Sequence, residues 1–347
     1  MKKEQPLVSV IIANWNGGKV WENCLYSLSK IKYKNWELIV VDNGSIDGTT
    51  ELSLDPKFGI ERTRLIKNKE NRGFVGANNQ GFEISKGEYI LLLNNDTLVD
   101  SDFLNVLVEK MQEERDLGVI QPKIKMMDNP KYLDNAGSFF TRIGFLHHWG
   151  FGKKDSKEFQ KEREVFSIKG ACMLIRKKVI EMTGGLFDKD FFSYFEESDF
   201  CWRVWLVGYR VLFYPKTKIM HKVGFTIKRL DVGNLNFHYY KNRMCSLIKN
   251  LSFFNLIKVL TFHIFVSIGI SFAFLIRGQA RTSLIIWKAI FWNLKNIKNT
   301  WQKRRTVQKN RLVGDSVVFG KLLFPINWLS FFSDFRRVEK DLKSKER

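Results

Sequence analysis

Four short apolar runs open the chain: Val8-Ser-Val-Ile-Ile-Ala13, Trp36-Glu-Leu-Ile-Val-Val41, Arg64-Leu-Ile-Lys67 and Tyr89-Ile-Leu-Leu-Leu93, each bounded by turn residues. Near-continuous apolar runs of this length suit strands buried on both faces. Between them, residues 19–30, 74–85 and 102–115 repeat their apolar positions at the helical period. The alternation predicts an α/β fold, a parallel sheet with helices on both faces. Such sheets bind ligands beyond the carboxyl ends of their strands, near a switch in strand order. Those ends read Asn14-Trp-Asn-Gly-Gly18, Asp42-Asn-Gly-Ser45 and Asn94-Asn-Asp96. Three polar clusters therefore stand where a ligand is expected.

The pattern loosens over about 125–165, which holds His147-His148-Trp149 and a charged run from Lys153 to Glu164, and reads as a loop or flap. Order returns at Phe166–Gly170 and Cys172–Ile175, with a helix expected around Phe195–Val207 and strands near Arg210–Tyr214 and Lys218–His221. After about residue 245 the character changes, giving an expected catalytic domain over 1–245 and a mainly helical, membrane-associating region over 246–347. Val259–Ile276 is an 18-residue run without formal charge, close to the roughly 20 apolar residues a bilayer span needs. Leu284–Trp301 reads as one amphipathic helix, with Trp287, Ile290, Phe291, Leu294, Ile297 and Trp301 on one side and Lys288, Lys295 and Lys298 on the other. Leu322–Phe332, flanked by Lys321 and Arg336-Arg337, forms a third apolar patch.

Charge sharpens this picture. The net charge is +21, and residues 251–347 carry 18 Lys and Arg against five acids, so +13 of it lies in the tail. Basic residues interleaved with apolar and tryptophan-rich segments suit an anionic lipid surface. Nucleic acid is not expected as a partner, since no helix-turn-helix, aromatic strand signature or zinc spacing accompanies the charge. The short 18-residue run, basic at both ends, favours lying in the interface over crossing it, because a crossing would export the basic C-terminus. The four cysteines lie far apart without CxxC pairing, which argues against zinc, and Cys24, Cys172 and Cys201 sit within apolar runs, which suits buried thiols in a reducing compartment. The opening Met-Lys-Lys-Glu-Gln-Pro runs straight into the first strand. The expected location is the cytoplasmic face of the cell membrane.

Asp42, ending a buried strand, can accept from a nucleotide base or ribose hydroxyl, or can close an Asx turn with Gly44. Asp96 can hold a divalent cation whose other positions are filled by phosphates and water, or can belong to a structural turn. Asn71-Arg72-Gly-Phe-Val-Gly-Ala-Asn78-Asn-Gln-Gly81 offers backbone donors and a guanidinium at a strand-to-helix turn. It lacks the Gly-Lys-Ser/Thr of a Walker loop and the glycine spacing of a dinucleotide fingerprint. In Phe195-Glu-Glu-Ser-Asp-Phe-Cys-Trp-Arg203, one acid can act as a base toward an acceptor hydroxyl. Glu196, Glu197 and Asp199 can equally serve as helix-start acids, and Asp199 with Arg203 as an i,i+4 ion pair. His221, at a strand end, is open to metal ligation or a structural role.

Taken in order, these segments resemble family 2 glycosyltransferases of the GT-A fold, close to their bacterial rhamnosyltransferase-like branch. The resemblance runs through Val8–Gly17, Val41–Ser45, Asn71–Phe74, Gly76–Gly81, Gly87–Thr97, Lys169–Ile175, Gly184–Asp188, Phe195–Arg203 and His221–Gly224, covering about residues 6–245. It implies an inverting hexosyltransferase taking a dTDP- or UDP-sugar to a glycan or lipid-linked glycan, with Mn²⁺ or Mg²⁺ as cofactor. By that resemblance Ala13, Asn14, Asp42, Asn43, Asn71, Arg72, Asn78, Asn95 and Asp96 surround the donor. Asp96 and His221 hold the metal, and Glu197 is the base. Two departures stand out: the first two positions of the Asp-X-Asp metal motif are Asn94 and Asn95, and Glu197 stands where the family has Asp. The competing expectation is a GT-A protein that binds a nucleotide sugar without turning it over.

Overall fold

The computed structural model describes residues 5–225 and 232–325. Its first half follows the alternation: β1 (Val8–Asn14), α1 (Gly18–Leu28), β2 (Trp36–Asp42), β3 (Thr63–Lys67), α2 (Gly73–Ile84), β4 (Tyr89–Leu93), β5 (Thr97–Val99) and α3 (Phe103–Glu113). Then come β6 (Leu117–Met126), β7 (Leu133–Asn135), β8 (Ser138–Phe140), β9 (Leu146–His148), β10 (Arg163–Glu164), β11 (Cys172–Arg176), α4 (Lys177–Met182), α5 (Glu196–Leu206) and β12 (Arg210–His221). The C-terminal region is helical: α6 (Val232–Asn250), α7 (Phe253–Ile276), α8 (Ala280–Lys295), α9 (Ile297–Asn310) and α10 (Asp315–Leu322).

The main sheet runs β10-β12-β6-β11-β4-β1-β2-β3. β1 to β4 are mutually parallel, as expected, while β11 lies antiparallel between β4 and β6, so the whole sheet is mixed. Alternate residues of β1 face opposite cores. Val8, Val10 and Ile12 pack with Trp21, Leu25, Phe103 and Leu107 of α1 and α3, whereas Ile11 packs with Val75 and Ala77 of α2. Both faces are thus covered, which explains the uninterrupted apolar strands. All four cysteines are buried free thiols.

Three expectations need correction. The segment 125–165 is neither loose nor a flap: it carries β7 to β10, and Phe139, Phe140, Trp149 and Phe159 enter the core. Two- and three-residue strands are too short to show a period. The expected strands Arg210–Tyr214 and Lys218–His221 are one strand with an irregularity between Tyr214 and Lys218. Leu284–Trp301 is not one helix, since α8 and α9 meet at Asn296. Of the third apolar patch, Leu322 is buried, and Phe324 stacks on His147 while its N–H bonds Phe140 O at 2.8 Å. The rest of it, from 326, and Arg336-Arg337 lie outside the described residues.

α6 runs without interruption through residue 245 and ties the C-terminal helices to α5. Asp199 of α5 accepts from Ser246 Oγ (2.6 Å), Asn250 Nδ2 (2.9 Å) and Lys249 Nζ (3.1 Å), as well as from Arg203 Nε (3.2 Å). Lys303 of α9 pairs with Asp188 and Asp190, which precede α5. A buried charge this thoroughly bonded fixes the helix that carries the acid cluster.

Candidate active site

Asn14 and Asp42 are register partners at the ends of β1 and β2. Asn95 Nδ2 donates to Asn14 Oδ1 at 2.8 Å, and Asn14 Nδ2 donates to Asp42 Oδ1 at 2.9 Å, so one amide chain crosses three strand ends. Gly17 permits this, because a Cβ there would stand 2.6 Å from Asn14 Oδ1 and 2.9 Å from Asn95 Nδ2. Asp42 also accepts from Ser45 N at 3.0 Å, which is the Asx-turn contact, with Gly44 at φ +76. Ala13 pairs with Val41 in the ladder, and Asn43 Nδ2 donates to Gly73 O at 3.1 Å.

The turn into α2 brings Asn71 and Arg72 to the same edge. Asn71 Oδ1 accepts from Gly73 N at 2.8 Å, while the Arg72 side chain is exposed beside the helix N-terminus, where an anion is favoured. Asn78 lies deeper, and its amide bonds back to Phe74 O at 2.8 Å inside the helix. Gly73 takes φ +72, and a Cβ there would lie 2.3 Å from Phe192 O. Gly73→Ala should therefore push apart α2 and the loop leading to α5, lowering donor affinity and melting temperature together; calorimetry and donor titration of one preparation check this.

Asp96 and His221 meet because β5 pairs antiparallel with β12, Thr97 opposite His221, and Lys222 N bonds Asp96 O at 2.9 Å. His221 Nε2 lies 3.1 Å from Asp96 Oδ1. The contact lacks hydrogen-bond alignment, and Asp96 Oδ1 is a buried oxygen without a hydrogen-bond partner. A nitrogen and a carboxylate oxygen so placed fit a shared cation, since neighbouring ligands of an octahedral ion stand about 3 Å apart. Among the described residues no cluster of three or more His, Cys, Asp or Glu suits a metal. A cation held by Asp96 and His221 would keep its other positions for phosphate and water. Burial opposes the imidazolium, but the Asp96 charge and the Asp134 hydrogen bond outweigh it and raise His221 to about 9.

Strain marks both sides of this edge. The described non-glycine residues with positive φ are Asn16 (+50), Tyr194 (+68) and Phe195 (+69). For bulky aromatics this conformation costs of order 1–3 kcal/mol each. Asn242 of α6 holds the turn, donating to Ser193 O at 3.0 Å and Tyr194 O at 2.7 Å. Glu196 and Glu197 follow at once, and each keeps a buried Oε2 without a hydrogen-bond partner. Glu196 is buried, whereas Glu197 retains some exposure. Burial pushes the Glu197 carboxyl up to about 7, against backbone hydrogen bonds and the Lys169 charge. Glu196 is raised as well, by burial first and then by the charge of Glu197. Asp199, by contrast, is fully committed to its structural bonds.

Two participants, Asp134 and Lys169, escaped the sequence reading. Asp134 Oδ2 lies 2.8 Å from His221 Nδ1, and Lys169 Nζ holds both Asp134 oxygens at 2.6 and 2.7 Å. Lys169, bonded to Asp134 beside His221, also stands near enough for its charge to act on both Glu197 and His221. Lys169 stood in a quoted motif without an assigned task. Asp134 sat where no period could be read.

The strand order and the polar edge at its strand ends define an α/β fold of the GT-A type. Residues 9–184 match glycosyl transferase family 2, about half of the chain, and the chain belongs to that family. It is 26% identical over 208 residues to poly-beta-1,6-N-acetyl-D-glucosamine synthase of Staphylococcus aureus (strain COL), covering 60% of this chain and 48% of that protein. Glycosyltransferase GlyG of Streptococcus pneumoniae serotype 4 (strain ATCC BAA-334 / TIGR4) is 32% identical over 108 residues, 31% of this chain and 36% of that one. The chain spans about half the length of the first of these relatives. Among solved structures, S. aureus TarS 1–349 in complex with UDP-GlcNAc aligns with TM-score 0.59 at 14% identity, over 90% of this chain and 92% of that one. Mannosyltransferase PcManGT from Pyrobaculum calidifontis, in complex with GDP-Man and Mn²⁺, aligns with TM-score 0.51 at 16% identity, over 89% and 86%. These two likenesses show the fold.

Proposed function

We propose that the protein is a metal-dependent, inverting glycosyltransferase that moves one hexose from a nucleotide-diphosphate sugar to a hydroxyl of a glycan or lipid-linked glycan in surface polysaccharide synthesis. One observation carries this: Asp96 and His221 converge at the strand ends, and Lys169, bonded to the Asp134 that meets His221, also acts on a Glu197 carboxyl that burial raises toward neutrality. Asp42, Asn14 and Asn95 line the nucleotide side, and Arg72 with the α2 N-terminus faces the phosphates. Glu197 takes the proton from the acceptor hydroxyl as that oxygen bonds the anomeric carbon. The bond from that carbon to the phosphate oxygen breaks, and the nucleoside diphosphate leaves with the electron pair. A divalent cation on Asp96 and His221 would neutralise charge on the departing diphosphate.

Two of the matched proteins bear on the donor: TarS was solved with UDP-GlcNAc, and PcManGT with GDP-Man and Mn²⁺. The sequence resemblance points instead to dTDP-rhamnose. A panel of dTDP-rhamnose, UDP-GlcNAc, UDP-glucose, UDP-galactose and GDP-mannose, scored by nucleoside-diphosphate release with and without Mn²⁺, tests the proposal. Release from none of them, in the presence of membrane acceptors, would favour a nucleotide-sugar-binding protein without turnover.

The helical region supports docking on an anionic cytoplasmic leaflet. α7 has 24 residues, with an 18-residue stretch of mean hydropathy 2.3, and its exposed side is apolar. Its buried face includes His263, Ser267 and Ser271, while Phe254, Phe262, Phe265, Phe272 and Ile276 are exposed. Lys258 and Arg277 flank this apolar face, and Lys288, Lys295 and Lys298 stand among the exposed Leu284, Phe291, Leu294 and Trp301. His263 Nδ1 bonds Ile143 O at 2.8 Å, so one side of α7 stays against the protein while the other can enter lipid. That geometry favours an interfacial helix over a span. High salt should leave most of the protein on anionic vesicles and detergent should release it; release by salt alone in a flotation assay would contradict the apolar contact.

A further inference from the structure

We propose that Asp134, clamped by Lys169, is a positioning residue that aims His221 Nε2 at the cation beside Asp96, an inference that rests on the metal site proposed above. The two nitrogens of an imidazole are not equivalent: a carboxylate on one fixes the tautomer and ring orientation presented by the other. Here Nδ1 meets Asp134 at 2.8 Å and Nε2 faces Asp96 at 3.1 Å, so the ring has a holder on one side and a prospective co-ligand on the other.

The backbone makes the contact repeatable. β6 and β12 run parallel with Met126 opposite His221, and β7 folds back on β6 with Asn135 opposite Ile124. Asp134 therefore arrives beside His221 from 87 residues away. Its oxygens are sealed from solvent, and Lys169 bridges both. A buried carboxylate can rotate to suit other donors, but one held at both oxygens by an ammonium has its remaining lone pairs directed. Asp134 thus supports the His221 side of the Asp96–His221 pair.

The alternative is an ion pair that merely stitches β7 to the loop before β11, and it separates cleanly. Mn²⁺ binding to the full chain is followed by electron paramagnetic resonance of the free aquo ion, with UDP present, for wild type, D134N, H221A and the double variant. D134N should bind Mn²⁺ about 10–100-fold more weakly, the usual loss when such a support is removed. Because Asp134 acts through His221, the double variant should bind no more weakly than H221A alone. In turnover, D134N should raise the Mn²⁺ requirement by the same factor while kcat at saturating Mn²⁺ stays within a few-fold. D134S, measured in parallel, serves if D134N does not fold. Wild-type affinity in D134N or D134S, or losses that multiply in the double variant, would overturn the inference. Failure of the wild type to bind Mn²⁺ would instead remove the metal site itself, and this inference with it.

Discussion

Glu197→Gln should lower kcat by about 10²-fold or more, the usual cost of removing a general base, while donor affinity stays near that of the wild type. The amide preserves shape but cannot take the acceptor proton. In the wild type, kcat should rise with pH through about 7, where the Glu197 carboxyl ionises, and this limb should vanish in the variant. Stability should move the other way. A carboxyl raised from 4.5 to about 7 is best tolerated protonated. Its stabilising effect is complete below pH 4.5 and is lost as pH rises through 7. E197Q should therefore melt higher than wild type at pH 8 and alike at pH 4. A buried carboxyl without a catalytic role would give the stability gain but not the kinetic loss. If Glu196→Gln proves to be the crippled variant, the base is its neighbour.

Asp96→Ala should abolish metal-dependent turnover, with a loss of several kcal/mol in transition-state stabilisation, because the remaining ligand, His221, cannot hold the ion against the donor diphosphate alone. The fold should survive, since the backbone of β5 and its pairing with β12 do not use the carboxylate. Stability carries a pH signature here too. His221 is raised above 6.5 to about 9 by its carboxylate neighbours, against burial. Its contribution is full below pH 6.5 and is lost as pH rises through 9. Metal-free D96A should accordingly fall furthest below wild type near pH 6 and approach it near pH 10. Cation binding must displace the His221 proton, so Mn²⁺ uptake by the wild type should release protons at pH 7.5. Near-normal turnover of D96A with saturating donor would remove Asp96 from the metal site.

How much of this was legible in the sequence differs by region. β1 to β4 and their helices declare themselves because two-sided burial leaves no polar position inside a strand, and the strand-end clusters follow from that pattern. β6 was silent. Gly118, Pro122, Lys123 and Lys125 break its apolar run, and the strand is stabilised by β11 and β12 on its flanks. α6 was missed because its buried positions include Lys241, Asn242, Arg243, Ser246 and Lys249, which satisfy partners distant in sequence. The break at Asn296 is invisible to periodicity, since α8 and α9 keep apolar residues in phase across it. Asp96, His221 and the 195–203 acids were visible as chemistry at element ends. Asp134 was not, because a lone aspartate gains meaning only when tertiary pairing sets it against a histidine. The strained Tyr194-Phe195 turn likewise depends on Asn242, which no local rule connects to it.

The most direct test of the central claim is the stereochemistry of one turnover. With the donor found by nucleoside-diphosphate release, proton NMR of the first product gives the anomeric configuration before mutarotation or further transfer. A single displacement driven by Glu197 predicts the configuration opposite to that of the donor. A retained configuration would contradict it, because one base and one in-line attack cannot preserve the anomeric centre.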